Sequence, residues 1–415
     1  MTAPTTALAP IPGWGPTDRS GLERIEGGVT TPGGFRAGGV VSGVKPSGKP
    51  DLALVVADER AAAAAVTTQS LVKAPSCLWT DRNVADGHAQ AVVINSGNAN
   101  GATPDGEAHP GRLAAGAAEA LGIPADDVLV MSTGVIGVPL PIERVEAAFP
   151  AVVADLDAAG GARAAEAMTT TDTVLKQVAY RVSDGQGGTC TVAGMAKGVG
   201  MIEPSMATLL VVLTTDAPIG ASLLRQLLRG AVRATFNRIS IDGDGSTSDT
   251  VAVLASGAAP TPPGPEVLGR AIHAACADLA QAVVADGEGA SRVAAITVTR
   301  AATEHEAERL ARAVATSLLV RAAIHGADPN WGRVLMALGN AGVAFDPRRI
   351  GITFGGVTVC RFGVAASFDH GQARNAMDKP QVAIDIDLGA GDAAATLLTC
   401  DLTPEYVRFN AEYTT

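Results

Sequence analysis

Residues 197–210 read KGVGMIEPSMATLL. Gly198 and Gly200 allow a tight turn or a close approach of the backbone to a neighbouring group. Pro204 and Ser205 interrupt any regular element just before Met206 and Ala207. Thr208 to Thr214 (TLLVVLT) is then a continuous apolar run of strand length, which points to a strand buried on both faces. A hydroxyl residue therefore stands where a loop meets a buried strand. From there it can attack the carbonyl before it, giving an ester, then hydrolysis, then a threonine with a free α-amino group. Such an amine titrates at about pH 7.7–8.0, and tethered beside Oγ it activates a weak hydroxyl nucleophile. The pattern alone is common: Ala395-Thr396-Leu397-Leu398 repeats the Ala-Thr-Leu-Leu core with no Gly-rich approach.

Working outward, Asp51–Asp58 (DLALVVAD) and Gln90–Asn95 (QAVVIN) read as strands, the second running into a Gly/Asn-rich loop, Ser96–Gly106. Residues 108–121 are Ala-rich and helical. Val128–Ser132 reads as a strand ending at Thr133-Gly134, and 142–168 as one or two helices. In the second half Leu223, Leu224, Leu227, Leu228 and Val232 recur at helical spacing. A strand is expected at Asp249–Ser256, a proline-rich loop at Gly257–Pro265 and a helix to about Asp286. Then come a strand (292–300), a helix (302–324) and strands at 350–360, 381–388 and 394–401. Residues 1–20 read as a loose tail. Strands and helices mix without strict alternation, so the fold class is layered α+β rather than a doubly wound sheet.

The chain has 415 residues, enough for two or three domains. Hydrophobic residues make up 47% and aromatics only 3%, so the core must be built from Ala, Val, Leu and Ile. A net charge of -11 argues against non-specific binding to nucleic acid or to an anionic membrane. Cys77, Cys190, Cys276, Cys360 and Cys400 are scattered and odd in number, which fits neither a disulfide framework nor a zinc site and points to reduced thiols. The N-terminus lacks the basic start and apolar run of a signal peptide, and no stretch reads as a membrane span, so a cytoplasmic protein is expected. Asp242-Gly-Asp-Gly-Ser lacks the acidic spacing of a calcium loop, and neither a P-loop nor H-E-x-x-H occurs, so no metal is expected.

KGxGMxxPxMATLL resembles the processing site of the ornithine acetyltransferase family, the glutamate N-acetyltransferases of the cyclic arginine pathway. The likeness extends over nearly the whole chain, in order: GGVTTPGGFRAGGVVSGVK (27–45), VINSGNAN (93–100), STGVIG (132–137), TTDT (170–173), FNRISIDGD (236–244), DGEGA (286–290), HGADPNWGR (325–333) and YVRFNAEYTT (406–415). The resemblance implies a layered α/β sandwich (αββα-like) with a smaller second α/β domain. It implies self-cleavage between Ala207 and Thr208 into an α chain (1–207) and a β chain (208–415) that fold together. Thr208 is then the nucleophile, Thr133 and Gly134 the oxyanion hole, and Thr173, Lys197, Thr208, Glu288, Asn410 and Thr415 the substrate contacts. A lysine suits a substrate carboxylate, and Glu288 between two glycines suits the ammonium of ornithine.

The implied reaction passes an acetyl group from N2-acetyl-L-ornithine to L-glutamate through acetyl-Thr208. No cofactor is expected, acetyl-CoA is a further candidate donor, and two αβ units are expected to pair as an α2β2 heterotetramer. His325 is read as structural. The sequence departs from the family pattern at Gly245, Ser248, Leu318, Arg321 and Ala322, which bears on substrate preference and leaves a secondary-metabolism paralogue open. The competing readings are a self-cleaving aminopeptidase of related fold, which would pass the acyl group to water, and an uncleaved small-molecule binding protein.

Overall fold

The apolar runs form two separate sheets in a computed structural model that describes residues 3–4, 10–203 and 209–412. The first half supplies β1 (Ala3–Pro4), β2 (Leu22–Ile25), β3 (Phe35–Val40), β4 (Leu52–Thr67), α1 (Pro75–Asn83), β5 (His88–Asn98), α2 (His109–Leu121), β6 (Val128–Val135), α3 (Ile142–Ala154), α4 (Gly161–Met168), β7 (Val174–Ser183) and β8 (Thr189–Lys197). The second half supplies β9 (Leu210–Thr215), α5 (Ala221–Ala234), β10 (Ile239–Ser240), β11 (Thr250–Ala255), α6 (Pro265–Ala285), β12 (Val293–Ala301), α7 (Glu304–Ala315), α8 (Leu318–His325) and α9 (Trp331–Gly339). After these come β13 (Gly351–Phe354), β14 (Val357–Arg361), β15 (Val364–Ala365), α10 (His370–Met377), β16 (Gln381–Asp387), β17 (Ala393–Cys400) and α11 (Pro404–Glu412).

The larger sheet runs β1-β7-β8-β9-β11-β4-β5-β6, with β2 added to β7 and β3 to β4. β4 serves two layers. Ala62–Thr67 pair antiparallel with β11, while Leu52–Ala57 pair with β3. Between them the register against β5 breaks, from Val56 to Ala61, and such a bulge bends a strand. The bend folds β3–β6 over β7–β9 and β11, so Val55, Ile94 and Met131 share a core with Met195, Val212 and Leu254, and α4 closes one side of it. The outer face of the first layer packs Leu54, Val93 and Val130 against Leu113, Val145 and Phe149 of α2 and α3. The outer face of the second packs Val178, Val192 and Leu213 against Leu224 and Leu228 of α5 and Ile272 and Leu279 of α6. These are the four layers of an αββα sandwich. β9 is buried throughout because β8 and β11 flank it and both of its faces are covered.

The smaller sheet, β10-β17-β12-β16-β13-β14-β15, forms the expected second α/β unit. Its strands alternate: Ala295 and Leu398 face α6, while Ile296 and Leu397 face Leu310 and Val314 of α7. α6 is thus buried between two sheets, and that explains a departure from the sequence reading. Contrary to the expectation that no stretch is membrane-like, α6 is long and apolar enough to cross a membrane by length and composition alone. Its apolarity is that of a core helix, with Ile272, Cys276, Leu279 and Val283 fully or almost fully buried.

Other expectations are corrected. The single helix at 302–324 is two, because Ser317 Oγ accepts the Val320 N–H and starts α8 afresh. The strand at 350–360 is a hairpin, turned at Gly355-Gly356. The N-terminal segment is not loose throughout: Ile11 and Trp14 are buried, and Trp14 Nε1 donates to the Ala277 carbonyl of α6 at 2.9 Å. The strand expected from Thr208 is described from Leu210 onward. All five cysteines are free thiols and buried.

Candidate active site

β6 and β8 end at the same place. Thr133 and Gly134 at the end of β6, and Lys197 at the end of β8, line one cleft of about 540 Å³ together with Lys45, Glu288 and Asn410. The parallel pairing of β5 with β6 runs up to Gly97 opposite Gly134. Gly134 has φ +130°, and a Cβ there would lie 2.3 Å from the Gly97 carbonyl carbon, so glycine is required on both counts.

Thr133 is fully buried, and its Oγ1 accepts from Lys197 Nζ at 3.3 Å. A threonine hydroxyl has one proton and two lone pairs. With Lys197 donating to one lone pair, the hydroxyl proton is free to point at a developing oxyanion. Thr133→Val is therefore expected to lower kcat by about 10²–10³, the usual cost of one oxyanion donor, with KM little changed. Steady-state kinetics check this, and a wild-type kcat would remove Thr133 from that role.

Lys197 is 2% exposed. Burial pulls its ammonium below the ordinary lysine range, and the Asp172 carboxylate opposes that pull. Asp172 accepts from Lys176 Nζ at 2.7 Å, from Gly198 N at 2.9 Å and from Thr170 N at 3.0 Å. Burial works to raise its carboxyl, but Lys176 and Lys197 outweigh burial and hold it well below the usual carboxylate range. Lys176 also donates to Asp286 at 2.5 Å. A buried chain of alternating charge thus fixes the base of β8.

Glu288 follows α6. Its backbone N–H donates to the Val199 carbonyl at 2.8 Å, and its carboxylate accepts from Thr171 Oγ1 and from Asn410 Nδ2, each at 3.0 Å. A Cβ on Gly200 would lie 2.6 Å from Glu288 Oε2, the close approach that the sequence suggested. Asn410 arrives on α11, so the C-terminal segment reaches the cleft as expected.

Thr173 is not among the residues lining the cleft. Its N–H and hydroxyl both donate to Asp286, and Thr170 and Thr171 face the cleft instead. Ala207, Thr208 and Thr415 lie outside the described residues. Ser248, one of the departures from the family pattern, lines the cleft. Arg321 is buried and donates to the Cys400 carbonyl at 2.9 Å, a structural clamp on β17. His325 pairs with Asp401 at 2.9 Å.

Sequence reasoning did not single out Asp249. It immediately precedes β11, whose Thr250 pairs with Leu210 of β9. Its Oδ1 accepts the Leu209 N–H at 2.7 Å, and its Oδ2 has no partner among the described residues. Burial pushes this carboxyl well above the usual range, outweighing the Leu209 N–H and Lys197. This buried carboxyl thus anchors Leu209, the residue that leads into β9. Asp242 clamps the chain on the other side, accepting from Met201 N at 2.5 Å and Ile202 N at 2.9 Å.

Residues 36–415 match the sequence profile of the ArgJ family. This chain belongs to the ArgJ family. Among ArgJ-family relatives, the arginine biosynthesis bifunctional protein ArgJ of Symbiobacterium thermophilum is 46% identical over 95% of this chain and 100% of its own length. ArgJ 1 of Streptomyces clavuligerus is 46% identical over 93% of this chain and 99% of its own. Two solved structures are also similar. One is an arginine biosynthesis bifunctional protein ArgJ from Bacillus halodurans, with TM-score 0.47 and 36% identity, covering 49% of this chain and 98% of that one. The other is an ornithine acetyltransferase complexed with ornithine from Mycobacterium tuberculosis, with TM-score 0.42 and 42% identity, covering 44% of this chain and 98% of that one.

Proposed function

We propose that this ArgJ-family chain cleaves itself between Ala207 and Thr208 and then transfers acetyl groups from N2-acetyl-L-ornithine to L-glutamate. The observation that carries the reading is the convergence of Thr133, Gly134, Lys197, Glu288 and Asn410, brought from four separate parts of the sequence, on one cleft. Thr208 Oγ attacks the acetyl carbonyl and its own α-amine takes the hydroxyl proton. The Thr133 hydroxyl and the Gly134 N–H hold the oxyanion. The tetrahedral intermediate collapses, the ornithine amine leaves with the proton from the Thr208 amine, and acetyl-Thr208 remains. Glutamate then attacks the ester with its amine, giving N-acetylglutamate and the free hydroxyl. Lys197 suits the α-carboxylate that both substrates carry, and Glu288 suits the side-chain ammonium of ornithine.

The α chain (1–207) and β chain (208–415) remain one folded unit, and two such units pair as α2β2. Thr173, which donates to Asp286, and Thr415, in the same terminal segment as Asn410, complete the substrate contacts. The site in the cytoplasm is supported by the reduced state of five buried thiols. A denaturing intact-mass spectrum after brief incubation with N2-acetylornithine tests the reading. Two chains are expected, with the one beginning at Thr208 heavier by one acetyl group. A single uncut chain would overturn it, and turnover indifferent to glutamate would favour a hydrolase.

A further inference from the structure

Two substrates of opposite side-chain charge pass through one cleft in the proposed reaction. The carboxylate next to the reacting nitrogen is common to both, and Lys197, bonded to Thr133 of the proposed oxyanion hole, suits it. The far end differs: ornithine ends in an ammonium and glutamate in a carboxylate. Glu288 suits only the first. We propose that Lys45 recognises the side-chain carboxylate of the acceptor and sets its preference for an acidic amino acid, an inference that rests on the acetyl-transfer reading.

The placement of Lys45 is built rather than incidental. Asp51, fully buried, accepts the backbone N–H groups of Ser42 at 2.5 Å, Val44 at 2.7 Å and Lys45 at 2.9 Å, which fixes the loop between β3 and β4. The lysine stem then lies across Gly97, where a Cβ would come within 2.9 Å of Lys45 Cγ. Gly97 is also the residue against which Gly134 is pressed, so the pair of glycines that shapes the oxyanion strand also gives Lys45 its route into the cleft wall. Lys45 Nζ donates to the Pro50 carbonyl at 2.6 Å, using one of its three protons, and makes no ion pair among the described residues. Lys176, by contrast, is committed to Asp172 and Asp286.

The charged groups around Lys45 make that ammonium conditional. Burial lowers it to about 8; Asp51 and Asp172 favour the charged form, while Lys197 and Lys49 oppose it. An incoming carboxylate stabilises the charged form, and a cationic side chain favours the neutral one, which lies closer in energy than for an ordinary lysine. One wall can therefore meet both occupants in turn.

The test compares glutamate with glutamine as acceptor, which removes the side-chain carboxylate at nearly constant shape. Wild type, Lys45→Met and Lys45→Arg are first loaded with acetyl from N2-acetylornithine, and the adduct is confirmed by intact mass. In Lys45→Met, kcat/KM for glutamate is expected to fall about 10–100-fold, the scale of one charge-assisted hydrogen bond. Glutamine turnover should fall far less, so that the preference collapses. Lys45→Arg should keep the preference and carry it to higher pH, whereas wild type loses it as pH rises above about 8. An unchanged preference in Lys45→Met, or equal losses for both acceptors, would overturn the assignment. So would a variant that forms no adduct while wild type does, since Lys45 would then serve the donor step. A wild type that forms no adduct would instead overturn the acetyl-transfer reading itself.

Discussion

Thr208→Ala is expected to give one uncut chain of 415 residues, with acetyl transfer reduced by on the order of 10⁴-fold or more, the scale of nucleophile loss in acyl-transfer enzymes. Without Oγ no ester forms at the Ala207 carbonyl, so no amine is released. Without the amine and Oγ the pair that attacks and takes the proton is lost, and neither Lys197, which donates to Thr133, nor Glu288, which is held by Thr171 and Asn410, is free to replace it. Thr208→Ser separates the two roles, since it keeps a hydroxyl and should both cleave and transfer at reduced rate. The measurement is intact mass beside steady-state turnover. An alanine variant that is cut, or that turns over at the wild-type rate, would remove Thr208 from the mechanism.

Asp172→Asn, just behind the cleft wall, should have a large effect on stability. The carboxylate is fully buried, receives Lys176 and the Gly198 N–H, and is the countercharge of buried Lys197. Removing one partner of a buried ion pair costs about 3–5 kcal/mol, because the other charge stays buried and uncompensated. A lower denaturant midpoint at neutral pH is the expected reading, and a midpoint equal to wild type would show that Asp286 alone suffices for Lys176. The pH dependence follows from the lowered pKa. A carboxyl depressed on folding stabilises fully above its unfolded value of about 3.9 and loses that contribution as pH falls toward its lower native value. The difference between wild type and Asp172→Asn should therefore shrink on acidification.

Much of the fold was legible where burial leaves an unbroken apolar run. DLALVVAD and LVVLT are such runs, and both are strands with covered faces. The hairpin of β7 and β8 was not legible, because VLKQVAYRVS carries a lysine at a position that is inside. Lys176 is tolerated there only because Asp172 and Asp286 meet it, and that pairing spans 110 residues. β3 reads FRAGGV and has too little side chain to signal a strand. Ser317 marked a cap, yet the apolar residues on both sides kept helical spacing and masked the break. Of the site, Thr133, Gly134, Lys197, Glu288 and Asn410 came from the likeness of ordered motifs to a family, and the structure brings them together. Asp249 and Lys45 carry no local signal: one is an acid at the mouth of a strand, the other a lysine in a loop, and only tertiary packing gives either a role.

The strand order of the larger sheet has a consequence for how the molecule comes apart. β9 and β11, from the second half, lie between β8 and β4, both from the first. A break after residue 207 would leave two polypeptides threaded through each other by hydrogen-bonded ladders on both sides of a two-strand insert. Folding before the break is a one-molecule event, but reassembly from separated pieces would be a meeting of two. Recovery after full denaturation should then depend on concentration, and each piece alone would carry unpaired strand edges prone to wrong partners. Persistence of the cut protein would rest on how slowly it opens rather than on how readily it re-forms.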